Sequence, residues 1–140
     1  LGLGDYLRVL VGLPGDAPVD RGAVEQAFEV MTSCELPLQQ RLIEYLQGRD
    51  DVRIVGPDHA GPTRVGTISF VHREMASRDV VAQLDRSGIA TRHGHMYAYR
   101  LCQRLGLDPE DGVVRISLVH YNTPEEIERL ITLLGRILGT

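Results

Sequence analysis

Apolar residues recur at helical spacing near both ends of the chain and at strand spacing in between. Tyr6, Leu7, Leu10 and Val11 predict a first helix within residues 1–13, with Asp5 placed to cap it and Pro14-Gly15 and Ala17-Pro18 closing it into a loop. Asp20 is a second helix cap. The stripe behind it runs Val24, Ala27, Phe28, Met31, Cys34 or Glu35, Leu38, Leu42, Leu46, and Gly48 ends it. Its phase survives Pro37, so the sequence predicts one long helix kinked near Ser33–Pro37, or two helices in line. The period then shortens. Strands are predicted over 52–56, 65–71, 89–92 and from Val113. Between them fall a helix starting at Ser77 or Asp79 and stopped by Gly88, and another over 96–105 stopped by Gly106. Asp108 to Gly112 forms an acidic turn.

The last helix is the best marked. Thr123 is an N-cap, Pro124 takes the first helical position and Glu126 the third, the signature of a capping box. Ile127, Leu130, Ile131, Leu133, Leu134, Ile137 and Leu138 follow as a wide apolar stripe. Burying those side chains contributes on the order of 10–20 kcal/mol gross, an upper bound before chain entropy. Helices striped on one side, short connections and four short strands predict an α+β fold, a small and mainly antiparallel sheet with helices packed on one face. The helical entry segment spans residues 1–50 and the α/β sandwich 51–140, within a single domain 1–140.

The strand from Val113 holds the candidate chemistry. Val114, Ile116 and Leu118 share one face, the side for the closing helix to cover; Arg115 and Ser117 share the other with Val113 and Val119. An unpaired cation midway along a strand is costly to bury. Arg115 therefore reaches water, pairs with a surface acid, or receives an anion.

Composition narrows the classes. The net charge of −4 argues against nucleic acid or an anionic membrane as the main partner, and no apolar run approaches the roughly 20 residues of a membrane helix. Cys34 and Cys102 lack CxxC spacing and read as free thiols of a reducing compartment, which points to the cytoplasm. All fifteen Lys-or-Arg positions are arginine, so a Schiff base to a lysine amine is beyond this chain alone. His93 and His95 are two positions apart, but no third ligand at metal-site spacing accompanies them, and no metal is expected. His59, His72 and His120 read as solvated or hydrogen-bonded.

Two linked stretches carry a family likeness: Gly88-Ile-Ala-Thr-Arg92-His-Gly94-His95-Met-Tyr97-Ala98, and Val114-Arg115-Ile-Ser117-Leu-Val-His-Tyr121-Asn122-Thr123-Pro-Glu-Glu126. Together they resemble the C-terminal domain of class V aminotransferases, in particular the members similar to cysteine desulfurases. The likeness covers Val52 to Leu138 well and the helical first third more loosely. It implies a C-terminal fragment of a fold-type-I pyridoxal-phosphate enzyme, whose absent large domain holds the cofactor and the Schiff-base lysine, and whose parent is a homodimer acting on an amino or keto acid. No cofactor is held covalently by this chain, and it carries no catalytic residue of its own. The likeness further implies that Arg115 grips the substrate carboxylate, that Arg92 is a second cation at the edge of the site, and that His95 lies near the cofactor's side of the cleft; Asn122 is a further pocket candidate, and Tyr97 and Tyr99 either line the pocket or cover the sheet edge. It also exposes a departure: desulfurases place a nucleophilic cysteine two residues after Gly-His, where this chain has Tyr97. A phenol with a pKa near 10 is a poor nucleophile at neutral pH. The competing expectation is a stand-alone, non-catalytic module that binds a carboxylate ligand through the same arginines.

Overall fold

The computed structural model describes residues 2–139. Helix α1 (Leu3–Val11) and helix α2 (Arg21–Gln47) precede strand β1 (Val52–Ile54) and strand β2 (Thr67–His72). Helix α3 (Ser77–Arg86), strand β3 (Arg92–Gly94), helix α4 (Tyr99–Arg104), strand β4 (Val113–Ser117) and helix α5 (Pro124–Leu138) follow. The four strands form one sheet in the order β1-β2-β4-β3, every neighbouring pair antiparallel. The α+β class and the four-stranded antiparallel sheet expected from the sequence are the ones found.

The core lies on one side of that sheet. Ile68, Phe70, Val114 and Ile116 from the strands meet Leu38, Leu42 and Leu46 of α2, Val80 and Leu84 of α3, and Ile127, Leu130 and Leu134 of α5. The apolar face of β4 is therefore covered, and the alternation of the strand turns Arg115 to the opposite face. The capping box of α5 is formed: the Thr123 hydroxyl accepts from the Glu126 amide and the Glu126 carboxylate accepts from the Thr123 amide. Such a cap contributes about 1 kcal/mol and fixes where the chain leaves the sheet.

Several elements differ from the sequence expectation. Asp5 is not the cap of α1; it sits three residues into it, and its carboxylate accepts from the Gly2 amide. Asp20 does cap α2, accepting from the Ala23 amide at 2.9 Å, and α2 is a single helix that runs on through Pro37. The buried stripe of α2 is Ala23 and Ala27, then Leu38, Leu42, Ile43 and Leu46; Phe28 and Cys34 are exposed. The amino-terminal half packs on α1, and the sheet is reached only by the second half. The third strand is Arg92–Gly94 rather than 89–92, because α3 ends in a turn in which Gly88 has φ +74° and the Ile89 amide closes back on the Leu84 carbonyl. The next helix begins at Tyr99 and not at residue 96, since Met96 and Tyr97 both have positive φ, +49° and +64°. Two consecutive left-handed residues are incompatible with a right-handed helix.

A polar cluster ties α2 to the sheet edge. Arg49 holds Asp51 through two hydrogen bonds of 2.9 and 2.6 Å, and His72 Nε2 lies 3.0 Å from the same carboxylate. His72 Nδ1 accepts the amides of Glu74 and Met75, so the ring hydrogen is on Nε2, facing Asp51. The Arg49 guanidinium, helped by His72, holds the Asp51 carboxyl well below the usual carboxylate range. A carboxyl depressed in the folded state contributes stability that is complete above its unfolded pKa of about 3.9 and is lost as pH falls below it. Asp51→Asn is therefore expected to lower the melting temperature at neutral pH, with the gap to the wild type closing as pH drops below about 3. A gap that stays undiminished well below that pH would contradict this role. The effect is modest, since the group is partly solvated.

Candidate carboxylate site

The two arginines of the sequence motifs meet on the sheet. Arg92 of β3 stands directly opposite Arg115 of β4, and Ser69 of β2 stands opposite Arg115 on its other side. Cross-strand partners present their side chains on the same face, with Cβ atoms roughly 5 Å apart, and like charges in that position repel. Neither guanidinium is ion-paired among the described residues. Arg92, Arg115 and Ser117 line one polar cleft of about 240 Å³, with Ala90, Thr91 and Asp85 completing it. The Arg115 Nε–H and the Thr91 hydroxyl are shielded from water and have no hydrogen-bond partner among the described residues. The cleft thus holds hydrogen-bonding capacity that the protein itself does not use. A guanidinium offers a planar two-donor fork that matches a carboxylate. The surface-acid partner left open by the sequence is not seen for Arg115.

The geometry behind this pairing was only partly visible in the sequence. Gly94 and Gly112 touch backbone to backbone where β3 and β4 meet, with φ of +123° and +66°. A Cβ on Gly112 would lie 2.0 Å from the Gly94 carbonyl carbon. Beside it, the Asp111 carboxylate caps α3 from a distant part of the chain, accepting the amides of Ser77 at 2.6 Å and Arg78 at 3.1 Å. The acidic turn is therefore a strut between α3 and the start of β4. The Asp-Gly pair at 111–112 is a turn signal, but its partners are not local.

The remaining candidates are placed elsewhere. Asn122 bonds the Val119 amide through its carbonyl oxygen and Glu126 through its amide, so it shapes the turn into α5. It lines a neighbouring cleft of about 270 Å³ with Ile116, Leu118, Ile127 and Arg129, which shares only Ala90 and Thr91 with the arginine cleft. His95 packs edge-on to Tyr99, its Nδ1 shielded and without a partner. Tyr97 is fully exposed. Neither residue lines the arginine cleft. Among the described residues no group of three or more His, Cys, Asp or Glu is arranged to hold a metal ion, and no helix is long and apolar enough to cross a membrane.

Fold and site together define an α+β domain that offers a pair of unpaired guanidiniums on the open face of its sheet. The family follows from comparison: residues 23–130 match the model of the class-V aminotransferases, and the chain belongs to that family. It is 39% identical over 117 residues to the aminotransferase-like protein FGM3 of Gibberella zeae, covering 81% of this chain and 29% of that protein. It is 34% identical over 118 residues to a probable cysteine desulfurase of Vibrio cholerae, covering 84% of this chain and 26% of that protein. In structure it is similar to the apo cysteine desulfurase of Thermococcus onnurineus, with a TM-score of 0.69, 29% identity, and coverage of 84% of this chain and 28% of that one. The chain thus spans less than a third of the length of these relatives.

Proposed function

We propose that this chain is the C-terminal small domain of a pyridoxal-phosphate-dependent class V aminotransferase, and that it supplies the substrate-carboxylate site. Arg115 takes the carboxylate in its fork, with Arg92 as the second cation at the edge of the site. The observation that carries this reading is the cross-strand placement of two guanidiniums, neither ion-paired, in one cleft. Residues 1–50 are the helical entry segment and 51–140 the sandwich. The parent is a homodimer in the cytoplasm, and its substrate is an amino or keto acid.

The family implies the cofactor in the parent, where it would serve as an electron sink for carbanion chemistry. The residues present here do not fit a covalent site for it: the chain has arginine at every Lys-or-Arg position and so lacks the side-chain amine that would hold the aldehyde. No chemical step is assigned to this chain by itself; its part is to bind and orient an anion. Tyr97 in place of a cysteine also removes the thiolate route to sulfur transfer, since a phenol is overwhelmingly protonated near pH 7. Incubating the chain with pyridoxal phosphate and a panel of amino and keto acids is expected to give neither transamination nor sulfide release. Turnover by the chain alone would overturn the reading of a domain that needs a lysine-bearing partner.

A further inference from the structure

We infer that the cleft between the turn after α3, the end of β4 and the start of α5 binds a free aliphatic α-amino acid, of about the size of leucine. It lies beside the arginine cleft and does not depend on Arg115.

The cleft opens where the sheet divides. Strand β4 pairs with β2 as far as Ser117, but with β3 only as far as Arg115. Residues 88–91 therefore diverge from the end of β4 instead of continuing the ladder. The space left, bounded on its third side by α5, is about 270 Å³. Sites for drug-sized ligands measure about 300–1,000 Å³, so this one suits a smaller molecule. Its floor is Ile116, Leu118, Ile127 and Leu130, all apolar and all buried. An aliphatic side chain complements such a floor, because each methylene taken out of water adds to affinity.

The rim carries two opposite charges. Glu126 and Arg129 stand one turn apart on α5, both lining the cleft. Neither is ion-paired among the described residues. Arg129 donates from one Nη to the Ser87 carbonyl at 2.7 Å, which leaves the rest of its fork for an anion. Glu126 accepts the Asn122 side-chain amide and the Thr123 backbone amide on a single oxygen, Oε2, which leaves Oε1 for a donor. These bonds hold its carboxyl below the usual carboxylate range, so it is an anion at neutral pH. On the wall formed by residues 88–91, the Thr91 hydroxyl is shielded and has no partner among the described residues. A zwitterion matches this set: its ammonium pairs with Glu126 and its carboxylate with Arg129. A fatty acid would leave Glu126 without a cation, and an alkylamine would leave Arg129 without an anion.

The test titrates leucine, glycine, isocaproate and isoamylamine into the full chain labelled at its isoleucine and leucine methyl groups. Leucine is expected to move the Ile127 and Leu130 resonances saturably and to leave Ile68, in the core under β2, in place. Glycine, which lacks the side chain, should bind at least about tenfold more weakly. Isocaproate and isoamylamine, which each lack one charge of leucine, should be weaker by a similar factor. Arg129→Gln should bring leucine down to the level of isoamylamine without weakening the amine. Glu126→Gln should bring leucine down to isocaproate without weakening the acid. Arg115→Gln should leave the leucine shifts at Ile127 and Leu130 unchanged. The absence of saturable shifts there, equal affinity for glycine and leucine, or leucine binding that survives both rim variants would overturn the inference. Loss of those shifts in Arg115→Gln would overturn it too, by assigning the ligand to the arginine cleft. None of these outcomes bears on pyruvate binding at Arg115, which is measured separately.

Discussion

Arg115→Ala is expected to weaken binding of a simple keto acid such as pyruvate by about 30-fold or more, while leaving the fold intact. Truncating one partner of a shielded, hydrogen-bonded charge pair costs roughly 2–5 kcal/mol of binding free energy. The lower end of that range corresponds to about 30-fold, at 1.4 kcal/mol per factor of ten. Among the described residues no ion pair is made with this side chain and its Nε has no acceptor, so removing it breaks no such contact. The core face of β4, built from Val114 and Ile116, is untouched by the change. Loss of the repulsion from Arg92 should even raise the melting temperature slightly, since a like-charged cross-strand pair costs on the order of 0.2–1 kcal/mol. Binding and stability therefore move in opposite directions. Thermal denaturation with and without pyruvate measures both. An Arg115→Ala protein that binds within twofold of the wild type, or that unfolds at much lower temperature, would show that the arginine is structural.

Gly112→Ala is expected to act the other way, through the fold. Two costs coincide at this position. A left-handed φ of +66° disfavours any side chain, and strain of this kind is worth about 1–3 kcal/mol. The new Cβ would also overlap the Gly94 backbone at 2.0 Å, and backbone cannot rotate away as a side-chain tip can. Overpacking adds about 1–3 kcal/mol more. The sum, roughly 2–6 kcal/mol, is a large share of the 5–15 kcal/mol typical of a domain. A fall in melting temperature on the order of 10 °C or more follows. If the chain relaxes by separating β3 from β4, Arg92 moves off its place opposite Arg115, and pyruvate binding should weaken before the protein unfolds. Gly106, also at positive φ but with open space around the Cβ direction, is the control. Its alanine variant carries only the dihedral cost and should lose much less. Equal losses at the two glycines would mean that the close approach to Gly94 has no energetic weight.

Periodicity and caps are local, and the elements that depend on them were readable in advance. Helix α5 with its Thr123–Glu126 box, the Asp20 cap and the split of β4 into an apolar face and an Arg115 face are all present in the structure. Features that depend on a distant partner were not readable. Phe28 fits the spacing of the α2 stripe but lies on the half of the helix that faces α1 and solvent instead of the sheet. Asp111 caps a helix that begins 34 residues earlier in the chain. The reversal at Met96–Tyr97 interrupts residues that otherwise read as helix-forming, and no glycine marks it.

The candidate site divides along the same line. Arg115 and Arg92 could each be picked out, one from its strand and both from the family likeness, but their opposition is set by strand register. That register ends at the Gly94–Gly112 contact, which only the assembled sheet creates. Asn122 illustrates the converse. Its motif neighbourhood suggested a pocket residue; it does line a cleft, one next to the arginine cleft, and its hydrogen bonds to Val119 and Glu126, which the sequence did not show, also tie it into the turn that leads into α5.

The most direct measurement is on the Arg115 side chain itself. Its Nε–H is shielded from water, so its exchange is slowed and its proton–nitrogen resonance should be observable by NMR in the labelled chain at neutral pH. Titration with pyruvate is predicted to move that resonance saturably, with smaller changes at Arg92 and none at Arg21, which lies on α2 and pairs with Glu25. A resonance of Arg115 that stays in place through the titration, or that moves no more than that of Arg21, would contradict a carboxylate site at this position.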